Sequence, residues 1–169
     1  MECSIIVQSK GEMFTVLVDE PDYWRIAESG GTVGVKRDKR TVYAQISFGY
    51  KPQPRLHQWL LNPPEGMHVD HKNGNGLDNQ RSNLRIVTRS QNMHNQRKTR
   101  GSSQFKGVSW FRPYSNWRAY ITIDDRRKHL GYFTSEEDAG RAYDTAARAA
   151  FGEYACVNFP LDGERSALG

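Results

Sequence analysis

Cysteine is almost missing from this chain. Cys3 and Cys156 are the only two, near opposite ends, and no CxxC pair occurs. Two thiols alone cannot close a tetrahedral structural zinc site, and two free thiols are expected rather than a disulfide. Long apolar runs are missing too. Nothing approaches the roughly 20 apolar residues of a membrane span, so no membrane association is expected. The first residues, MECSIIVQSKGEMF, hold a three-residue apolar run and no small-residue cleavage site, which does not read as a signal peptide. The expectation is an intracellular protein.

Acidic residues are missing from one window. Between Gln80 and Arg112 there is no Asp or Glu, while Arg81, Arg85, Arg89, Arg97, Lys98, Arg100, Lys106 and Arg112 all fall inside it. The whole chain carries +5, with 24 basic against 19 acidic residues. With those eight cations set aside, the remainder is net acidic, so the excess positive charge forms one central band. A polyanion partner follows, because each cation placed on a phosphate releases a condensed counterion.

What is present divides into three stretches. In the first 60 residues Phe14–Val18 and Thr41–Ile46 are β-branched and aromatic and read as strands. Gly30-Gly31 and Lys36–Arg40 read as loops or a hairpin tip, and Arg55–Leu61 as a short helix halted by Pro63-Pro64. From Phe105 onward Lys106–Phe111, Trp117–Ile123 and His129–Phe133 read as three strands, with turns at Pro113–Asn116 and Asp124-Asp125. Ser135–Ala150 reads as a helix. Ala139, Ala142, Tyr143, Ala146, Ala147 and Ala150 line one face, Thr134 and Glu137 form a capping box, and Gly152 supplies the stop.

The chemistry-bearing stretch lies between. A short strand ends in Asp70-His71, an Asn- and Gly-rich loop follows, Leu84–Val87 reads as a second strand, and Thr88 or Ser90 opens a helix carrying Asn92. A strand–loop–strand–helix unit is small enough to aim an imidazole, a carboxylate and an amide oxygen at one point. Phosphodiester hydrolysis asks for a base on water and for charge neutralisation at the phosphate. The Asp70-His71 pair, the run Leu77–Arg85 and Asn92 resemble the HNH nuclease family of phage and intron homing type. The resemblance implies a ββα-metal fold with His71 as general base, Asp70 and Asn92 as ligands of Mg²⁺ or another divalent ion such as Mn²⁺, and Asn83 as the loop-fixing asparagine.

The last stretch resembles another family. Phe105–Trp110, Asn116–Ala119, Leu130–Phe133, Ala142–Ala147 and Val157–Pro160 are similar in order and spacing to an AP2 DNA-binding domain. That likeness implies a sheet laid in the major groove, with Lys106, Arg112, Trp117 and Arg118 on its first strands and Arg126, Arg127 and Lys128 beside the third. Ser109, Tyr120 and Thr122 depart from the plant pattern, so the plant target sequence does not carry over.

The fold class expected is therefore α+β. The nuclease domain spans 1–98, a basic linker 99–104, the AP2-like domain 105–160 and a tail 161–169. The expected function is a metal-dependent endonuclease acting on double-stranded DNA, with no small-molecule cofactor. A monomer is the simpler expectation, since one motif gives one site, and a dimer is the alternative. The competing function is a DNA-binding regulator whose nuclease fold is vestigial.

Overall fold

The computed structural model describes residues 1–38, 41–50, 52–94 and 101–168. Arg97, Lys98 and Arg100, three members of the basic band, lie outside them. The chain forms two compact units, Met1–Arg89 and Ser90–Gly169. That division falls earlier than the boundary expected at residue 98.

The first unit opens with an antiparallel hairpin of β1 (Glu2–Ser9) and β2 (Glu12–Asp19). Its two-residue turn uses Lys10 and Gly11, both at positive φ, the geometry that follows the natural twist of paired strands. Helix α1 (Glu20–Glu28) follows, with Pro21 in its first turn and Asp22 turned inward. A second hairpin pairs β3 (Thr32–Arg37) with β4 (Val42–Ser47), and α2 (Leu56–Leu61) packs beside it. Val16, Val18, Ala44, Ile46, Leu56 and Leu60 close the core. Strand β1, helix α1 and strand β3 were not foreseen, and the charged Lys36–Arg37 pair ends a strand instead of lying in a loop. The third hairpin pairs β5 (His68–His71) with β6 (Leu84–Val87), the two strands expected from the motif.

Helix α3 (Arg89–His94) begins on the last residue of the first unit and runs into the second. The second unit's sheet runs in the order β7 (Val108–Phe111), β8 (Asn116–Ile123), β9 (Arg126–Phe133), all antiparallel. Asp124 and Asp125, both at positive φ, make the tight β8–β9 turn. Helix α4 (Glu136–Phe151) covers one face, burying Ala139, Tyr143 and Ala147. Alanine at those positions lets the helix backbone approach the sheet closely. Gly107 serves the same closeness, since a Cβ there would meet Tyr143 at 2.0 Å. The tail is no tail. Strand β11 (Arg165–Ser166) pairs in parallel with β10 (Cys156–Val157), and Arg148 grips Glu164 through two 2.7 Å bonds. Residues 102–104 are no free linker either: Ser103 is buried, and Ser102 Oγ accepts the Trp110 N–H.

The helix cap also differs from expectation. Ser135, not Thr134, is the N-cap of α4, its Oγ accepting the Asp138 N–H at 3.3 Å. Ser135→Ala is therefore expected to cost about 1 kcal/mol in a denaturant melt. Thr134→Ala should leave the midpoint in place, and the reverse pattern would restore the Thr134 cap.

Candidate active site

The motif loop is fixed by its own side chains. Asn83 Oδ1 accepts the Asn73 N–H at 3.0 Å, and Asn83 Nδ2 donates to the Asp78 carbonyl at 2.8 Å. One asparagine thus ties two points of the Asn/Gly loop. The loop is also stitched to the two preceding hairpins. Leu17 N donates to Leu77 O at 2.9 Å, Asn79 N to Leu17 O at 2.8 Å, and Ala44 N to Gly76 O at 3.1 Å. At Gly76 a Cβ would stand 2.5 Å from both the Tyr43 ring and the Val42 carbonyl, so only glycine permits that approach. The N-terminal hairpins are the support on which the loop rests.

Asp70 and His71 are the last two residues of β5, and both are buried. Asp70 lies across from Arg85 on β6, whose Nε and Nη2 donate to Asp70 Oδ2 at 3.1 and 3.0 Å. The pair is almost wholly shielded, and a buried carboxylate needs such a partner. His71 meets other rings: His57 of α2 lies edge-on at 4.6 Å between centroids, and Tyr43 of β4 stands at 6.0 Å. Arg55 packs over the Tyr43 ring at 3.9 Å.

His57 was not among the residues expected at the site. It occupies a helix whose Leu56 and Leu60 are plain core residues, and no pattern in the sequence separates a site histidine from a third core position there. It is 4 % exposed, and its Nδ1 has no hydrogen-bond partner among the described residues. Burial first, then His71 and Arg55, pushes its imidazole down to about 3 from 6.5. The native chain keeps it neutral at pH values where the unfolded chain binds a proton. Stability is thus complete above about pH 6.5, declines as the pH falls toward 3, and levels off below. Urea melts across that window should show the decline in wild type and a shallower slope in His57→Phe. Equal slopes would contradict the buried neutral ring.

With this geometry in view, the comparisons with known proteins fall into place. The family model described as HNH endonuclease matches residues 62–94. That segment is similar to HNH endonucleases. It takes in β5, the clamped loop, β6 and α3. The chain is 34 % identical over 95 residues to an uncharacterised HNH endonuclease of Acanthamoeba polyphaga mimivirus, covering 56 % of this chain and 49 % of that protein. It is 31 % identical over 68 residues to Protein 3.8 of Escherichia phage T7, covering 40 % of this chain and 56 % of the phage protein. It is 47 % identical over 60 residues to ethylene-responsive transcription factor 3 of Nicotiana tabacum, covering 34 % of this chain and 26 % of the plant protein. The chain thus spans about half the length of the viral relative and less of the plant one. APETALA2-like protein 2 of rice also matches part of the chain, so an HNH segment and an AP2-like region occur in one polypeptide.

The basic residues expected to face DNA divide when placed. Arg81 is held on the buried Asp22, with Nε and Nη2 each 2.7 Å from the carboxylate while its side chain stays exposed, and Arg85 is held, largely buried, on Asp70. Arg89 is exposed at the start of α3, where Asn92 follows half-buried. Lys106 precedes β7, its ammonium turned to the helix side over Tyr143 at 6.0 Å, and burial lowers its pKa. Trp117 belongs to the core side of the sheet, half-buried and edge-on to Trp110 at 5.0 Å.

Directly paired residues of antiparallel strands share a face. Arg118 with Tyr132, Tyr120 with His129 and Thr122 with Arg127 therefore share the side opposite Ala119 and Ile121. A bulge at Leu130 sends that side chain into the core and keeps the alternation in step on both sides of it. On the open side Arg118 lies over Phe111 at 5.1 Å and Arg127 over Tyr120 at 4.4 Å. Arg112, in a short 3₁₀ turn after β7, and Arg126 and Lys128 of β9 are exposed. The last two lie on the third strand itself, which begins three residues earlier than expected.

Proposed function

We propose that this chain is a metal-dependent DNA endonuclease of the homing or phage HNH type, acting inside cells, with its AP2-like unit as a DNA-binding module. The observation that carries the proposal is a buried histidine, His71, ending β5 within the HNH segment, beside a loop clamped by Asn83. His71 accepts a proton from the attacking water, and Asn83 holds the loop that sets the strand end bearing it. Asp70 and Asn92 are the residues that would hold the ion. Oxygen donors of this kind suit a hard cation such as Mg²⁺ or Mn²⁺, which keeps much of its water and takes phosphate oxygens as further ligands. Among the described residues no cluster of three His, Cys, Asp or Glu side chains exists. What the ion supplies when bound is charge neutralisation at the scissile phosphate. Arg85 holds the Asp70 carboxylate in place through two bonds to Oδ2. No helix among the described residues is long and apolar enough to cross a membrane.

In the second unit the open sheet face with Arg118 and Arg127 is the proposed DNA-binding surface, with Arg112 in the turn after β7 beside it, while Arg126 and Lys128, paired with Ile123 and Ile121, are exposed cations on the other side of β9. Arg127→Ala should weaken DNA binding on all sequences and lower the salt slope by about one; an unchanged slope would remove Arg127 from the contact. Supercoiled plasmid incubated with the protein in Mg²⁺ or in EDTA tests the enzyme itself. Relaxed or linear product only with the ion supports the proposal. A nicked product fits a monomer with one site. Binding without cleavage across Mg²⁺ and Mn²⁺ would make the chain a DNA-binding regulator with a vestigial nuclease.

A further inference from the structure

The structure assigns His57 as a positioning residue for His71, delivered by α2 from outside the HNH segment. This rests on His71 being the base of the proposed nuclease. Three rings meet at the site: His57 and His71 at 4.6 Å with planes 85° apart, Tyr43 to His57 at 5.9 Å and Tyr43 to His71 at 6.0 Å. Edge-to-face contact at this separation is a favoured and directional arrangement. Tyr43 is itself pinned, with Arg55 on one side and Gly76 of the motif loop against its ring edge. His57 is 4 % exposed, so the imidazole has no room to swing.

Hydrogen bonding at Nδ1 does not account for His57. Its Nδ1 has no partner among the described residues, and an aliphatic side chain would fill the place without stripping a ring nitrogen of water. What a leucine lacks is a flat, rigid edge. Such an edge fixes the plane of the neighbouring imidazole, and a base misplaced by about 1 Å loses on the order of 10²-fold in rate. Burial holds His57 neutral, so the contact brings no second charge against His71.

His57→Leu and His57→Phe separate ring shape from bulk, since neither carries a nitrogen. On nicked-circle formation under saturating Mg²⁺, His57→Leu should lower kcat by roughly 10- to 100-fold and leave KM for DNA within about twofold, while His57→Phe restores most of the loss. Circular dichroism verifies that both are folded. In the metal-free protein, the His71 ring signals should be single and sharp in wild type and His57→Phe, and broadened or doubled in His57→Leu. A leucine variant with wild-type kcat and sharp His71 signals would overturn the assignment, as would a phenylalanine variant no better than leucine. The ring signals decide the matter even in a protein that cuts nothing, which separates this failure from that of the nuclease reading.

Discussion

His71→Ala is expected to lower DNA cleavage by about three orders of magnitude, within the range supplied by a positioned general base. The protein should remain folded and bound to DNA. Folding survives because the side chain's neighbours are rings, Tyr43 and His57, supported by Arg55 and by the core of Leu56 and Leu60. The lost packing costs about 1 to 3 kcal/mol at most for an imidazole of this size. DNA binding survives because the exposed Arg126, Arg127 and Lys128 and the half-buried Arg118 belong to the other unit. Single-turnover relaxation of supercoiled DNA in Mg²⁺ measures the rate, and a gel shift measures binding. A variant cutting within about tenfold of wild type would strip His71 of its role. One that no longer bound DNA would show that the first unit carries more of the contact than its charge suggests.

Asp144→Ala is expected to unfold much of the second unit's population, by about 3 to 5 kcal/mol. Asp144 lies on α4 at 1 % exposure and accepts three bonds: Asn158 N at 2.7 Å and Asn158 Nδ2 at 3.0 Å on Oδ1, and Phe159 N at 2.7 Å on Oδ2. Asn158 passes the connection on, its Oδ1 accepting Lys106 N at 2.6 Å and its Nδ2 donating to Lys106 O at 3.1 Å. One carboxylate therefore joins the helix to the strand entering β7 and to the chain leaving β10. Alanine would leave the Asn158 and Phe159 backbone donors without partners in a place water does not reach, while Asn158 Nδ2 keeps the Lys106 and Gly140 carbonyls. Asp144→Asn keeps one acceptor oxygen and should fall between the two. Chemical denaturation followed by the fluorescence of Trp110 and Trp117 reads the second unit, and a loss under about 1 kcal/mol would contradict the network.

The sequence made the HNH segment and the three-stranded sheet legible for different reasons. Strands β5 and β6 are bounded by residues that cannot extend them: Gly66 before and the Asn/Gly loop between. Helix α4 announces itself by its alanine stripe. Strand β1 was hidden because Cys3, Ile5 and Val7 supply its half-buried and buried side, while Ile6 on the other side is exposed and apolar too, blurring the alternation. Helix α1 carries Pro21, Tyr23 and Trp24 and buries just Asp22 and Ile26. Its purpose appears only in three dimensions, where Asp22 receives Arg81 from a position 59 residues away. The fates of Arg85 and Lys106 were hidden for the same reason. A cation's partner is chosen by the fold, and a linear charge count credits every arginine to the solvent.

The stitching of the Asn/Gly loop to β2 and β4 bears on how such a nuclease can be inherited or transplanted. Leu77, Asn79 and Gly76 spend their backbone bonds on Leu17 and Ala44, and the ring behind His71 comes from α2. A graft of residues 62–94 alone would carry the signature letters into a new host without the scaffold that gives them shape. The smallest exchangeable cassette is the whole of Met1–Arg89, with α3 appended, and recombination within it would separate the recognisable motif from its capacity to act.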